Sequence, residues 1–316
     1  MLEVRIDSFS YDNFPVLKDI SFKVHPGEHL SILGSSGSGK STLLHLTYGL
    51  LPLENGQIFY NGQLLKGLKG ALIPGEKFMK LVAQDFNLMP YATVAENIGS
   101  FLSRIDYEED ERRIDELLEV VDLGFYKNTK VRDLSGGQKQ RVELAKALAK
   151  EPEILLLDEP FSNMDLKKKK KLSRSLFPYL KTKKISCIVA THDADEALAF
   201  ADSILMLRAG RVEKYDTTEE FYLSLSNLYQ ASFFDDAALL PENILKKTDS
   251  RREVIVFPYR LSATKETTAL EVAVESSFFK GNYYRIIGRW KEKEIYFDHH
   301  ESIPSGTRLF LEYLSD

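Results

Sequence analysis

The chain has 316 residues, 43% hydrophobic and 28% charged, with a formal net charge of -5; it is long enough for about two domains with buried cores, and its balance gives neither a basic footprint for nucleic acid nor a long acidic tail. Its one cysteine, Cys187, lies in the apolar run Ile185-Ser-Cys-Ile-Val-Ala190, which excludes a disulfide framework or a Cys-based metal site and points to a reducing cytoplasm. No run approaches the roughly 18 apolar residues that span a bilayer, and Met-Leu-Glu-Val-Arg-Ile-Asp is not the start of an export signal, so the chain is expected neither to cross a membrane nor to be exported.

From Met1 to about Leu240, short apolar runs alternate with helix-like stretches: Ser31–Leu33, Ile154–Leu157, Cys187–Ala190 and Ile204–Leu207 read as strands. That rhythm predicts an α/β domain on a parallel sheet. Between Ala92 and Leu148 apolar residues at Ile114, Leu117, Leu118 and Val121 follow the helical period, which predicts an α-helical insertion over about residues 88–150. Past Pro241 the pattern changes to β-rich runs at Val254–Phe257, Leu270–Val274, Tyr283–Ile287, Ile295–Phe297 and Leu309–Leu311, with Gly281-Asn282 suited to a hairpin turn. These predict a small barrel over 241–316, with the domain boundary near Leu240 to Asp249 and residues 1–240 as the first domain.

Chemistry concentrates in the first domain. Gly34-Ser35-Ser36-Gly37-Ser38-Gly39-Lys40-Ser41, followed by Thr42-Leu-Leu-His-Leu46, fits the phosphate-binding loop between a strand and a helix. Glycine-permitted turns there aim successive N–H groups and a helix N-terminus at phosphate oxygens. Lys40 is expected to reach the β- and γ-phosphates, and the Ser41 hydroxyl to ligate Mg²⁺. Ile154–Leu157 ends in Asp158-Glu159-Pro160; Asp158 suits the Mg²⁺ shell, and Glu159 can act as general base toward the water that attacks the γ-phosphate. Leu134-Ser135-Gly136-Gly137-Gln138 opens a second helix, so its N-terminus offers a second place for anions. By contrast, the run Lys167–Lys171 reads as a solvated helix face, Cys187 as core filling, and Asp298-His299-His300-Glu301 as a polar turn rather than a metal site. Mg²⁺ accompanying ATP is the one metal expected.

The phosphate loop, Leu134–Gln138 and Asp158-Glu159, in this order and spacing, resemble the nucleotide-binding subunits of ABC transporters over about Met1 to Leu240. That resemblance implies a P-loop NTPase cassette, with a RecA-like core and an α-helical subdomain, that hydrolyses ATP. It also implies a head-to-tail homodimer in which Ser135, Gly136, Gly137 and Gln138 serve the nucleotide held by the partner's phosphate loop. On the same analogy Tyr11 stacks on adenine, His192 contacts the γ-phosphate, Gln84 links Mg²⁺ and water to permease subunits docked nearby, and Asp165 lies at the dimer interface. The departures are mild: Asn163-Met164 precedes Asp165 where Ala-Leu is more usual, and Ala83 replaces a larger apolar residue.

The β-rich tail bears on subtype. Ala231-Ser-Phe-Phe-Asp-Asp-Ala-Ala-Leu-Leu-Pro241 resembles the linker of ferric-iron, sulfate and polyamine importer ATPases, and Val256-Phe-Pro258 looks like a worn form of the motif that follows it. The implied protein is an importer ATPase with a C-terminal OB-like (TOBE-type) barrel. It would sit peripherally on the cytoplasmic face of the plasma membrane and act, through its permease, with an extracytoplasmic solute-binding protein. An exporter ATPase has the same cassette chemistry and stays open as an alternative, as does a soluble ABC ATPase of DNA or ribosome metabolism. The soluble class usually carries paired cassettes, zinc modules or a long coiled coil, and this sequence has none of these.

Overall fold

The computed structural model describes the chain except residues 68–73, 84, 103–104, 247 and 315–316. It divides into two compact units, Met1–Phe221 and Tyr222–Asp316.

Two sheets organise the first unit. β1 (Leu2–Tyr11), β2 (Phe14–Val24), β4 (Asn55–Tyr60) and β5 (Gln63–Leu64) form an antiparallel sheet in the order β2-β1-β4-β5. Leu2, Val4 and Ile6 are buried while Arg5 and Asp7 are exposed, the period-2 pattern of a strand with one face on a core. The single parallel sheet expected from sequence leaves this antiparallel sheet out. Its pairing is long-range, Leu2 lying opposite Tyr60, so no local turn announces it.

The second sheet has the order β10-β9-β3-β8-β7-β6, built from β3 (His29–Leu33), β6 (Met79–Val82), β7 (Ile154–Asp158), β8 (Ser186–Thr191), β9 (Ser203–Arg208) and β10 (Arg211–Thr217). All neighbours are parallel except the edge strand β10, which pairs antiparallel with β9. Every residue of β3, β7 and β8 is buried, as befits parallel strands covered on both faces. The sheet is flanked by α1 (Lys40–Tyr48), α5 (Leu166–Thr182) and α6 (Ala194–Phe200).

The expected helical insertion comprises α2 (Val94–Gly99), α3 (Tyr107–Val120) and α4 (Gly136–Leu148). Thr93 and Glu96 make a capping box at the start of α2, and Asp106 caps α3. Ile114, Leu117 and Leu118 of α3 pack with Val142, Leu144 and Leu148 of α4 in one core that continues under β7 and β8 through Leu155, Leu157 and Cys187. α7 (Thr218–Leu223) spans the division between the units.

In the second unit α8 (Leu228–Ala231) precedes β11 (Ala238–Pro241), which pairs antiparallel with β12 (Glu253–Val256) around α9 (Glu242–Leu245). That ladder gathers the residues before Leu240 into the second unit, so the chain divides at Phe221 rather than near Leu240. β13 (Leu261–Thr264), β14 (Glu271–Phe279), β15 (Tyr284–Trp290), β16 (Lys293–His299) and β17 (Arg308–Tyr313) form a five-stranded antiparallel sheet ordered β13-β17-β14-β15-β16. Four of the five runs read from sequence fall in this sheet. The Val254 run falls in the β11–β12 ladder instead, and the short β13 takes its place. Gly281, at φ +100°, lies in the turn between β14 and β15. Asp298 and His299 end β16 rather than forming a free turn, and Asp298 accepts a hydrogen bond from Arg285 Nε at 2.7 Å.

Among the described residues no helix is long and apolar enough to cross a membrane.

Candidate nucleotide site

The phosphate loop occupies Gly34 to Gly39, between the end of β3 and the first residue of α1. Gly39 sits at φ +103° as the cap of α1, a backbone conformation that strains any side chain. A Cβ on Gly34 would lie 2.6 Å from the Leu207 carbonyl oxygen, leaving no room for one. Ser35, Ser36 and Gly37 form the exposed crest of the loop, while Ser38, Gly39 and Lys40 are buried.

The turn between β9 and β10 braces this loop from below. The Gly210 N–H donates to the Ser38 carbonyl at 3.2 Å, and the Gly210 carbonyl accepts from the Lys18 N–H at 2.8 Å. Gly210 has φ +76°, and a Cβ there would come within 2.0 Å of the Val16 carbonyl oxygen. Sequence reading missed Gly210: Ala209-Gly210 between two strands signals a turn, but nothing local says what the turn supports.

Lys40 is 6% exposed, and its ammonium donates to the carbonyls of Gly34 at 2.8 Å and Ser35 at 3.0 Å. Burial pushes its pKa below the ordinary lysine value, against the opposing pull of Glu159 and Asp158. The Ser41 hydroxyl donates to Asp158 Oδ1 at 3.0 Å. Asp158, 2% exposed at the end of β7, has its pKa raised by burial although the Ser41 hydroxyl lowers it. Loop and strand end thus bring an ammonium, a hydroxyl and a desolvated carboxyl together.

Glu159 leaves the strand at φ +46°, the left-handed region that costs a non-glycine residue on the order of 1–3 kcal/mol and is concentrated at functional sites. Its N–H donates to the Ala190 carbonyl at 2.9 Å, and its carbonyl accepts from Gln140 Nε2 at 3.2 Å. Gln140 is a second residue missed from sequence, since its role depends on α4 packing beside the end of β7. Thus anchored, the Glu159 carboxylate Oε1 lies 3.4 Å from His192 Nδ1. The two line a cavity of about 220 Å³ together with Phe161, Met164, Lys169 and Glu196. A carboxylate and an imidazole this close, lining one cavity, can both contact a single water held in front of them.

Tyr11, at the end of β1, is 44% exposed, with its hydroxyl 3.4 Å from Thr42 Oγ1. Ser135 caps α4: the Gln138 N–H donates to Ser135 Oγ at 3.4 Å, and the Ser135 N–H donates to the Gln138 side chain at 2.8 Å. A Cβ on Gly137 would lie 3.0 Å from the Asn163 carbonyl oxygen, so this segment rests on the one that ends at Asp165. Asp165 caps α5, accepting the Lys168 N–H at 3.0 Å, and is exposed, as are Ser135 and Gly136. Two groups therefore form on one chain, one around Lys40, Ser41, Asp158, Glu159 and His192, the other around Ser135–Gln138 and Asn163–Asp165. Gln84 lies outside the described residues.

This geometry has known counterparts. The family model described as ABC transporter matches residues 17–162. Over 315 residues the chain is 30% identical to the spermidine/putrescine import ATP-binding protein PotA of Clostridium novyi (strain NT), covering 93% of this chain and 90% of that protein. The chain belongs to the ABC transporter ATP-binding family. As a member it binds and hydrolyses ATP as an ATPase subunit. A second relative, PotA of Legionella pneumophila (strain Paris), is 36% identical over 239 residues, which span 75% of this chain and 65% of that protein. Among solved structures, a dimeric ATP-binding cassette in a post-hydrolysis state, bound to ADP and Pi, is 29% identical with a TM-score of 0.60, over 69% of this chain and 99% of that one. The cassette cbiO1 of Clostridium perfringens, part of the ABC transporter complex cbiONQ, is 29% identical with a TM-score of 0.62, over 71% of this chain and 90% of that one. These likenesses identify the first unit as a P-loop ABC cassette.

Proposed function

We propose that this ABC ATPase drives a binding-protein-dependent importer of polyamine type. The observation that carries the reading is the extent of the first likeness: it covers 93% of the chain, beyond the 69–71% matched by the cassette structures, and the relative is named for spermidine/putrescine import. On this reading the β-rich residues 241–316 form an OB-like regulatory barrel. Two chains close head to tail on two ATP molecules, Asp165 lies at their interface, and permease subunits dock near Gln84. The assembly works peripherally on the cytoplasmic face of the membrane, opposite a solute-binding protein outside.

The residues divide the work by what their geometry allows. The Gly34–Thr42 backbone and Lys40 cradle the ATP phosphates, and Tyr11 offers its exposed ring to the base. Ser41 and Asp158 supply hard oxygen donors 3.0 Å apart, the donor chemistry a magnesium ion favours; with Gln84 they would hold one. A bound Mg²⁺ would neutralise charge on the β- and γ-phosphate oxygens. Glu159 takes the proton of the attacking water as general base, and His192, beside it, contacts the γ-phosphate. Ser135, Gly136, Gly137 and Gln138 present a capped helix N-terminus to the ATP held by the other chain.

Uptake of labelled spermidine and putrescine by cells lacking this chain tests the reading. Expression of the wild-type chain restores uptake and Glu159→Gln does not. Undiminished polyamine uptake without the chain, or ATP-driven efflux with it, would refute polyamine import.

A further inference from the structure

Lys167, Lys168, Lys170 and Lys171 are exposed, as their sequence predicts, but Lys169 turns inward, with its side chain only 18% exposed. Its ammonium donates to Asp193 Oδ2 at 2.6 Å and lies 3.5 Å from Glu196 Oε2. Both acids belong to the segment that follows His192. Asp193 is fully engaged: Oδ1 accepts the Glu196 N–H at 3.0 Å as the cap of α6, and its own N–H donates to Thr191 Oγ1 at 3.0 Å. Glu196 also accepts the Ser173 hydroxyl at 2.9 Å. Lys169 therefore bonds the residue directly beside His192 and lines the cavity that Glu159 and His192 share.

The charges make this a clasp rather than a surface pair. Glu196 is 11% exposed in its side chain, and burial raises its pKa against the pull of Lys169. Burial also works against the charge on Asp193, but Lys169 and the Glu196 N–H hold its pKa below the usual range. Without the ammonium, two poorly solvated carboxylates face each other, and α5 keeps its Ser173–Glu196 bond but loses its hold on Asp193, the residue beside His192. His192 stands one residue upstream, where a shift of about 1 Å in a positioned group can cost on the order of 100-fold in rate.

We propose that Lys169 is a positioning residue for ATP hydrolysis, tying the helix that begins at Asp165 to the loop that carries His192. The inference rests on the reading of His192 as the γ-phosphate contact. It makes the Lys169 side chain a direct link between the helix that follows the segment assigned to the dimer interface and the residue beside His192.

Steady-state ATPase kinetics of the full chain with MgATP decide the matter, using Lys169→Met, Lys169→Arg, His192→Ala and the Lys169→Met/His192→Ala double variant. In Lys169→Met, kcat falls about tenfold while KM for ATP stays within about twofold; arginine restores kcat to within about threefold. In the His192→Ala background, Lys169→Met causes no further loss, because its effect passes through that residue. Asp193→Asn, which keeps the helix cap but removes the charged partner, gives the same kcat loss and serves if Lys169→Met does not fold. Wild-type kcat in both Lys169→Met and Asp193→Asn overturns the proposal. So does failure of arginine to rescue, or losses that multiply in the double variant. Wild-type activity in His192→Ala overturns instead the reading of His192 on which the proposal stands.

Discussion

His29 lies on β3, five residues before the phosphate loop, and its burial gives the cassette an acid-sensitive foundation. The residue is 1% exposed, neither ring nitrogen makes a hydrogen bond of normal geometry among the described residues, and the ring packs against Phe177 at 5.9 Å between centroids. Burial, helped by Lys181 and opposed by Asp202, lowers its pKa from 6.5 to about 4. The unfolded chain therefore binds more protons between those values, so stability rises with pH through that window and is lost as pH falls from about 6.5 toward about 4. At 1.36 kcal/mol per unit the loss approaches about 3 kcal/mol in the limit and about 2 kcal/mol at pH 5. His29→Leu removes the titrating group but keeps an apolar contact for Phe177. Urea unfolding of both proteins, followed by far-UV circular dichroism at pH 7.5 and pH 5, gives the double difference. The variant is expected within about 1 kcal/mol of wild type at pH 7.5, and to gain about 2 kcal/mol relative to it at pH 5. Trp290, the one tryptophan, lies in the second unit, so its fluorescence follows the unit that lacks His29 and serves as a control. Equal loss of stability in both proteins on acidification would refute the assignment of the acid response to His29.

Glu159→Gln should leave nucleotide binding by equilibrium dialysis within about twofold while kcat falls by about 10² to 10⁴-fold, the usual weight of a general base; wild-type turnover would remove Glu159 from the reaction. Gly210→Ala puts a side chain at φ +76° and into the Val16 carbonyl, so a stability loss of about 2 kcal/mol or more and weaker ATP binding are expected, measured by urea unfolding and dialysis. Arg285→Met removes a guanidinium that is 6% exposed and bonds Asp235, Asp236 and Asp298. Because those carboxylates keep 28–50% exposure, the expected cost is about 2 kcal/mol, below the 3–5 kcal/mol of a fully buried pair. It should appear in the Trp290 fluorescence transition.

Signals that are local in the chain were readable, and those that depend on a distant partner were not. The phosphate loop could be read because glycines at strained backbone positions and a lysine at one fixed offset are adjacent in sequence; Asp158-Glu159 could be read because an apolar strand leads straight into it. The left-handed turn at Glu159 and its anchors on Ala190 and Gln140 could not, since they arise where β7, β8 and α4 meet. Leu2–Tyr11 alternates as a strand should, yet its pairing with Asn55–Tyr60 crosses the phosphate loop and α1, so nothing local in the sequence announces a separate antiparallel sheet.

Lys169 is the instructive intermediate case. A run of five lysines reads as solvated by composition, but helical spacing places position 169 in line with Leu172, Ser173, Leu176, Phe177 and Leu180, the buried residues of α5. A lysine on the inward face of an amphipathic helix needs an acid to meet it, because an unpaired charge there is costly to bury. Register alone thus sets Lys169 apart from its neighbours. What register cannot supply is the partner's identity, which follows only from β8 running beside β7 and delivering His192, Asp193 and Glu196 to the same end of the sheet. The helix pattern predicts that a clasp exists, and the sheet order decides that it closes on the residue next to His192.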